Sequence, residues 1–415
     1  MKFLFKKSLI ALAGTALALP LLGGAANPPR AEAAAAQAYK IVSFGDSLTV
    51  GYQPDKASAD YYGFVPRLLE QGLFHGRTEV DNYGISGLNS TGLEHYVEAI
   101  KSGTPTTADA IQPGLRDPNA SVYASNPSKA RADVADADVI TITIGGNDLL
   151  PLLTTGTLPS EAELTPQVTA LLQTYAVNVG EVLGDLREIN PDARIVIADQ
   201  YQPIPSSAAK DLYPALNRAA QSYTTALDGL VSQQNAAGGH VEAVHVVSLF
   251  AGRELQLTHI RDQDIHPNQA GYELLAQAFA KTIWGEYRTL NKTPDATTLA
   301  VVVSGKELNT AFKPIVKNGT TFVVLRDITD ALGAALKWEN KTSTASMDYN
   351  GRSVSIPVGQ KTIKVNGQAV TVKIPAFTQK VNGQLKTYVP LAVLADGLGF
   401  DVQYNARLRT VFVSP

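Results

Sequence analysis

Cysteine is missing from all 415 residues. That excludes disulfides and a lipid anchor attached through a thiol, so the fold must be held by core packing, which a chain of this length can supply. A basic excess is also missing, with 35 Lys and Arg against 38 Asp and Glu. Nothing in that balance calls for nucleic acid. Long apolar runs are absent too, except at the start, where "MKFLFKKSLIALAGTALALPLLGG" joins three lysines to a short hydrophobic segment ahead of "AEAAAA". A cationic end, an apolar stretch short for a membrane span and small residues beyond it are the layout of a secretory signal peptide. Pro20, Gly23 and Gly24 interrupt the run and argue against an uncleaved anchor. Residues 1–35 are therefore expected to be removed by cleavage near Ala33 to Ala36, giving a protein that is secreted or associated with the cell surface.

Beyond the leader, residues 39–290 alternate apolar runs of strand length with helical stretches. "KIVSF" (40–44), "EVDNYG" (79–84), "ADVITITIG" (137–145), "ARIVIAD" (193–199) and "VEAVHVVSL" (241–249) read as strands. "YGFVPRLLEQGLF", "TPQVTALLQTYAVNVGEVLGDLREIN", "PALNRAAQSYTTALDGLVSQQNAAGG" and "HPNQAGYELLAQAFAKTIWGEY" show helical spacing. Strand and helix in alternation imply parallel strands joined by crossovers, hence a three-layer α/β/α sandwich. The near-continuous β-branched runs fit strands covered on both faces. Residues 103–135, rich in Pro, Ser, Thr, Asn and Ala, are expected to form a structured excursion or lid over one end of the sheet.

"NKTPDATT" (291–298) reads as a linker, and residues 299–415 differ in kind. "TFVVLRDITDALGAALKW" (321–338) recurs as "TYVPLAVLADGLGFDVQY" (387–404). Each copy predicts a strand, a short helix ended by glycine and another strand, with Asn-Gly turns at 318–319 and 382–383 and a further hairpin at "VNGQAV". This is expected to be a compact α+β module.

Four stretches concentrate chemistry at predicted strand ends. "FGDSLTVGY" (44–52) follows the first strand, "NYGISGLNS" (82–90) closes the second, "IGGNDLL" (144–150) closes the third, and "DQDIHPNQAGY" (262–272) precedes the last helix. Taken singly, each has a plain structural explanation as a turn or cap. Strand ends of one parallel sheet lie side by side, however, so Ser47, Gly87, Asn147 and His266 can share a rim. Acyl transfer needs an activated oxygen nucleophile, a base near neutral pKa and donors aimed at the oxyanion. Ser47, His266, and the Ser47 and Gly87 N–H groups with the Asn147 amide supply that set. Pro267 is expected to fix the first turn of the last helix and leave His266 facing the rim.

These four blocks resemble the GDSL or SGNH hydrolase family, whose invariant Ser, Gly, Asn and His fall at Ser47, Gly87, Asn147 and His266. The resemblance covers about residues 39–290 and implies a flavodoxin-like sandwich, a serine esterase or lipase and no metal or other cofactor. It implies short- to medium-chain acyl esters, lipids or O-acetylated glycans as substrates. One position departs from the family pattern, which places an aspartate three residues before the histidine. Here that position is Gln263, with Asp262 and Asp264 beside it. Three arrangements answer this: Asp264 swings in through a shifted loop, Gln263 orients a working dyad, or the site is weakened. In the last case the chain is an envelope-binding protein with a decayed hydrolase fold.

The terminal module resembles the copper amine oxidase N-terminal-like domain through "FVVLRDITDALGAALKW" and "YVPLAVLADGLGF". The name implies copper, yet no His or Cys follows residue 290 and Met347 is the sole soft ligand there, so copper is not expected. Basic residues outnumber acidic ones in this module, which makes an anionic cell-envelope polymer the expected partner, against the plainer role of a spacer.

Overall fold

A computed structural model describes residues 37–154, 160–291, 294–295 and 298–415. The expected leader lies outside the described residues, and of the expected linker only Asn291, Pro294, Asp295 and Thr298 fall inside them. Five strands form the first sheet: β1 (Tyr39–Gly45), β2 (Thr78–Gly84), β3 (Val139–Thr143), β4 (Arg194–Ala198) and β5 (Val241–Val244). All pair in parallel, in the order β2-β1-β3-β4-β5. The central strands are buried along both faces; β3, "VITIT", is buried at every residue. Alternating side chains feed two cores. Val42 and Phe44 of β1 pack with helices Ser90–Ser102, Glu161–Ile189 and Tyr213–Ala236, while Ile41 packs with Phe64–Leu73 and Gln269–Trp284 on the opposite face. The result is the expected three-layer sandwich, and strand order reverses between β1 and β3, where open α/β sheets gather ligands.

Two local expectations change. The run 241–249 ends as a strand at Val244, because the buried Asp199 carboxylate accepts the Val246 and Val247 N–H groups at 2.6 and 3.0 Å and opens a helical turn, Val247–Phe250. Pro267 precedes the last helix instead of opening it; Asn268 is the cap, accepting from Ala270 and Gly271. The excursion is helical, with short segments Ala108–Ile111, Pro118–Ser125 and Pro127–Ala135.

The C-terminal region departs from an α+β description. Among the described residues it is built almost wholly of β-structure, one five-stranded and two four-stranded sheets, with only two eight-residue helices, Leu325–Leu332 and Leu391–Leu398. Those helices are the two copies of the repeat, each closed by a left-handed glycine, Gly333 and Gly399. Their leading strands pair with each other, Val323 opposite Val389. The Asn-Gly turns carry positive φ at both residues, 45° and 74° at 318–319 and 49° and 79° at 382–383, as tight hairpins require. This region packs on the sandwich: Val302 and Phe412 meet Leu73 and Phe74, Arg77 reaches Asp401 at 2.8 Å, and Thr78 exchanges two backbone hydrogen bonds with the Gln403 amide.

Candidate active site

Ser47 is the first residue of the one-turn helix Ser47–Val50 directly after β1. Asp46 forms that turn, its carboxylate accepting the Leu48 N–H at 2.9 Å and the Thr143 hydroxyl at 3.2 Å. Gly45 is required here because a Cβ would lie 2.0 Å from the Thr143 carbonyl, so β1 and β3 approach too closely for any side chain. Asp46 is sealed beneath Ser47, and burial pushes its carboxyl up to about 7.

His266 comes from a loop far along the chain, yet its Nε2 lies 2.8 Å from Ser47 Oγ. Its Nδ1 lies 2.8 Å from Asp264 Oδ1, which also accepts the His266 backbone N–H at 2.9 Å. The carboxylate fixes Nδ1 as the protonated nitrogen and leaves Nε2 to accept from the serine. Burial raises the Asp264 carboxyl, but the hydrogen bonds and charge of His266 outweigh it and hold the group below the ordinary carboxylate range. Of the two candidates beside the ring, the structure brings Asp264 in and leaves Gln263 exposed. Gln263 has φ 61°, a left-handed conformation that turns the chain so that the next residue reaches the histidine. The loop is pinned by His259 N–H donating to the His266 carbonyl at 2.9 Å, by Asp264 N–H donating to the His259 carbonyl and by the Tyr201 hydroxyl donating to the Ile265 carbonyl. Tyr52 packs on the imidazole with ring centroids 4.5 Å apart.

Gly87 and Asn147 complete the rim. Gly87 has φ 85°, and a Cβ there would meet only Leu115 at 3.8 Å. Glycine is thus needed for backbone conformation, not for lack of space. Neither the Ser47 nor the Gly87 backbone N–H is spent on another group of the described residues. One N–H of the Asn147 amide donates to the Leu88 carbonyl at 2.8 Å, which leaves the other for a ligand. These groups border an open cleft of about 630 Å³, whose far wall is Gln112, Leu115, Arg116, Asp117 and Asn119 of the excursion.

Residues 43–274, more than half of the chain, match the model of the GDSL-like lipase/acylhydrolase family. The chain belongs to this family. By that membership it is a carboxylic ester hydrolase. Residues 302–413 match the copper amine oxidase N-terminal domain, but its donor set, without His or Cys, does not fit copper. The uncharacterized protein YpmR of Bacillus subtilis (strain 168) is 24% identical over 243 residues, 59% of this chain and 80% of that protein. Among solved structures, the lipase Lip_vut3 from a goat rumen metagenome is 22% identical, covering 60% of this chain and 98% of its own, with TM-score 0.39. Phospholipase A1 from Streptomyces albidoflavus NA297 is 17% identical over 60% of this chain and 99% of its own, with TM-score 0.40.

Several members of this GDSL-family site escape motif reading. Asp148 accepts the Ser90 N–H at 3.0 Å and the Ser90 hydroxyl at 2.5 Å, tying the Asn147 turn to the Gly87 turn. Its carboxyl is raised by burial against the pull of those bonds. Its place inside "GGND" was the only available signal. Tyr52 and Tyr201 had none, since their contacts depend on how loops fold back over the rim.

Proposed function

We propose that the protein hydrolyses short-chain acyl esters with Ser47 as nucleophile, His266 as general base and acid, and Asp264 as the residue that orients His266. The observation that carries this is the continuous hydrogen-bonded series Asp264–His266–Ser47. Ser47 Oγ attacks the ester carbonyl carbon while its proton passes to His266 Nε2, and Asp264 stabilises the imidazolium that forms. The backbone N–H groups of Ser47 and Gly87 and the free Asn147 N–H receive the oxyanion. The protonated histidine then gives its proton to the leaving alcohol, and water repeats the sequence to release the acid. The weakened-site alternative rested on Gln263, and it loses that support once a carboxylate occupies the partner position.

The open cleft borders Ser47, and a second space is lined by chain neighbours of Asn147 and His266. A small apolar cavity of about 70 Å³ is lined by Gly146, Leu149, Leu164, Val168, Tyr201 and Ile265, next to Asn147 and His266 in sequence. Its size favours a short acyl group, and the larger polar-walled cleft favours a bulky alcohol portion, such as an acylated glycan. Hydrolysis of p-nitrophenyl esters from acetate to palmitate by the mature protein tests this. The expected result is an optimum at or below butyrate and activity lost in Ser47→Ala; wild type and Ser47→Ala equally silent on every ester would overturn the mechanism.

Export through the leader and a secreted or surface-associated location belong to the same proposal, on the support of the sequence. So does docking of the C-terminal region on an anionic cell-envelope polymer. Segments 310–324 and 372–388 contain Lys313, Lys317, Lys373, Lys380 and Lys386 and no acidic residue. Full-length Lys313→Glu/Lys373→Glu/Lys380→Glu should lose salt-sensitive retention on isolated envelopes, and retention equal to wild type would end this part of the proposal.

A further inference from the structure

The segment between Gly51 and Gly63 forms one shoulder of the site. Gly51 ends the helical turn that carries Ser47, and the two glycines touch so closely that a Cβ on Gly63 would lie 2.4 Å from the Gly51 Cα. Between them, Tyr52 packs on His266, Tyr61 packs on Tyr52 at 5.6 Å, and Tyr52, Ser58 and Tyr61 line the cleft. The loop is thus closed at its base, and what fixes the base fixes this wall.

The base is held from both bodies, by one arginine of the sandwich and one of the C-terminal region. Arg67 donates to the Tyr62 and Gly63 carbonyls at 2.7 and 3.0 Å, and its Cζ lies 3.8 Å from the centre of the Tyr62 ring. A second guanidinium, that of Arg407 in the C-terminal region, lies 4.0 Å from the same centre. The Tyr62 hydroxyl donates to the buried Glu70 at 2.7 Å. Leu408, next to Arg407, packs with Leu69, Leu73, Phe74 and Phe412 across the seam. One tyrosine therefore joins the end of the Gly51–Gly63 loop to a residue some 340 positions later in the chain.

We infer that Arg407 is a positioning residue for the ester cleft: by clasping Tyr62 against Arg67 it holds the 52–61 loop, so the C-terminal region completes the substrate site. Arg407 touches neither substrate nor reacting atoms, and its action runs through Tyr62. The inference rests on the ester-hydrolase reading only for its kinetic arm.

The test uses full-length protein throughout. Arg407→Ala, Arg407→Lys, Arg77→Ala, Tyr62→Leu and the double variant Tyr62→Leu/Arg407→Ala are compared with wild type by KM and kcat on p-nitrophenyl butyrate and by amide hydrogen exchange over 52–61. Arg77→Ala breaks another contact of the same seam, with Asp401, and serves as the control. In Arg407→Ala, KM should rise about two- to fivefold, the scale of an exposed cation–π contact, with kcat within about twofold. Exchange over 52–61 should quicken, Arg407→Lys should recover part of both effects, and Arg77→Ala should match wild type. The Arg407 change should add nothing to Tyr62→Leu. Unchanged exchange over 52–61 in Arg407→Ala overturns the inference, whatever KM does, and so does full additivity with Tyr62→Leu. If the wild type hydrolyses no ester, the exchange arm still decides, and only the hydrolase reading falls.

Discussion

The sandwich and the C-terminal region are both well-packed β-containing bodies, yet reactive groups converge in one and not in the other. The reason lies in strand direction. In the parallel sheet every crossover returns the chain with the same polarity, so the ends of β1, β2 and β3 gather on one edge and deliver Ser47, Gly87 and Asn147 together. In the C-terminal sheets hairpins predominate, successive strand ends fall on opposite edges, and four of the turns are tight Asn-Gly pairs, so the side chains at strand ends are scattered over both edges and do not meet at one rim. Charge divides the same way. Residues 39–290 hold 16 Lys and Arg against 29 Asp and Glu, whereas residues 299–415 hold 14 against seven. The chemistry belongs to the acidic, parallel body, and the surface electrostatics to the basic, antiparallel one.

The sharpest way to break this contrast is to attack the rim where the sequence departs from its family. Asp264→Ala should lower kcat by about 10³ to 10⁴, the scale of losing the carboxylate partner of a catalytic histidine, while Gln263→Ala leaves kcat within about threefold. The reverse order of the two effects would return the partner role to Gln263. Asn147→Ala should cost about 10² to 10³ in kcat, as removal of one oxyanion donor does, with little change in KM. A KM effect alone would make Asn147 a substrate-binding residue instead.

The seam offers the next test, now on stability. Phe412 packs edge-to-face on Phe74 at 5.2 Å between ring centres, and Phe412→Ala should cost about 3 kcal/mol. Because this cluster joins the two bodies, calorimetry should show one transition in the wild type, shifted down in the variant. Two separate wild-type transitions would mean that the bodies unfold independently and that the seam is only a contact.

How much of this was legible in sequence depended on how local the cause was. The buried β-branched runs announced β1, β3 and β4, and the four motifs announced the rim, because each signal sits within a few residues of its effect. Asp264 was one of three open readings, since only the left-handed backbone at Gln263 selects it, and glutamine carries no sign of that conformation. The helical turn after β5 was hidden for the opposite reason. Its cap, Asp199, lies 47 positions away from Val246. The seam between Phe74 and Phe412 lay further beyond any local pattern, and with it the clasp on Tyr62.

The last effect expected is the one that most directly probes how the rim is built. Asp46 sits under Ser47 with its carboxyl raised to about 7 from an ordinary value of 3.8, by burial. Between those two values the folded chain holds a proton that the unfolded chain has released, so ionisation of Asp46 destabilises the fold progressively as pH rises, with the full cost reached above about pH 7. An asparagine can still accept the Leu48 N–H and the Thr143 hydroxyl, but it carries no charge to bury. Asp46→Asn should therefore gain in Tm relative to wild type on going from pH 5 to pH 8, by a few degrees. Below pH 4 the two carboxyl states no longer differ between folded and unfolded chains, and the Tm difference should flatten there. A difference that stays constant from pH 4 to pH 8 would show that Asp46 is ionised at no unusual cost, and that the turn bearing Ser47 is held by hydrogen bonding to an ordinary carboxylate.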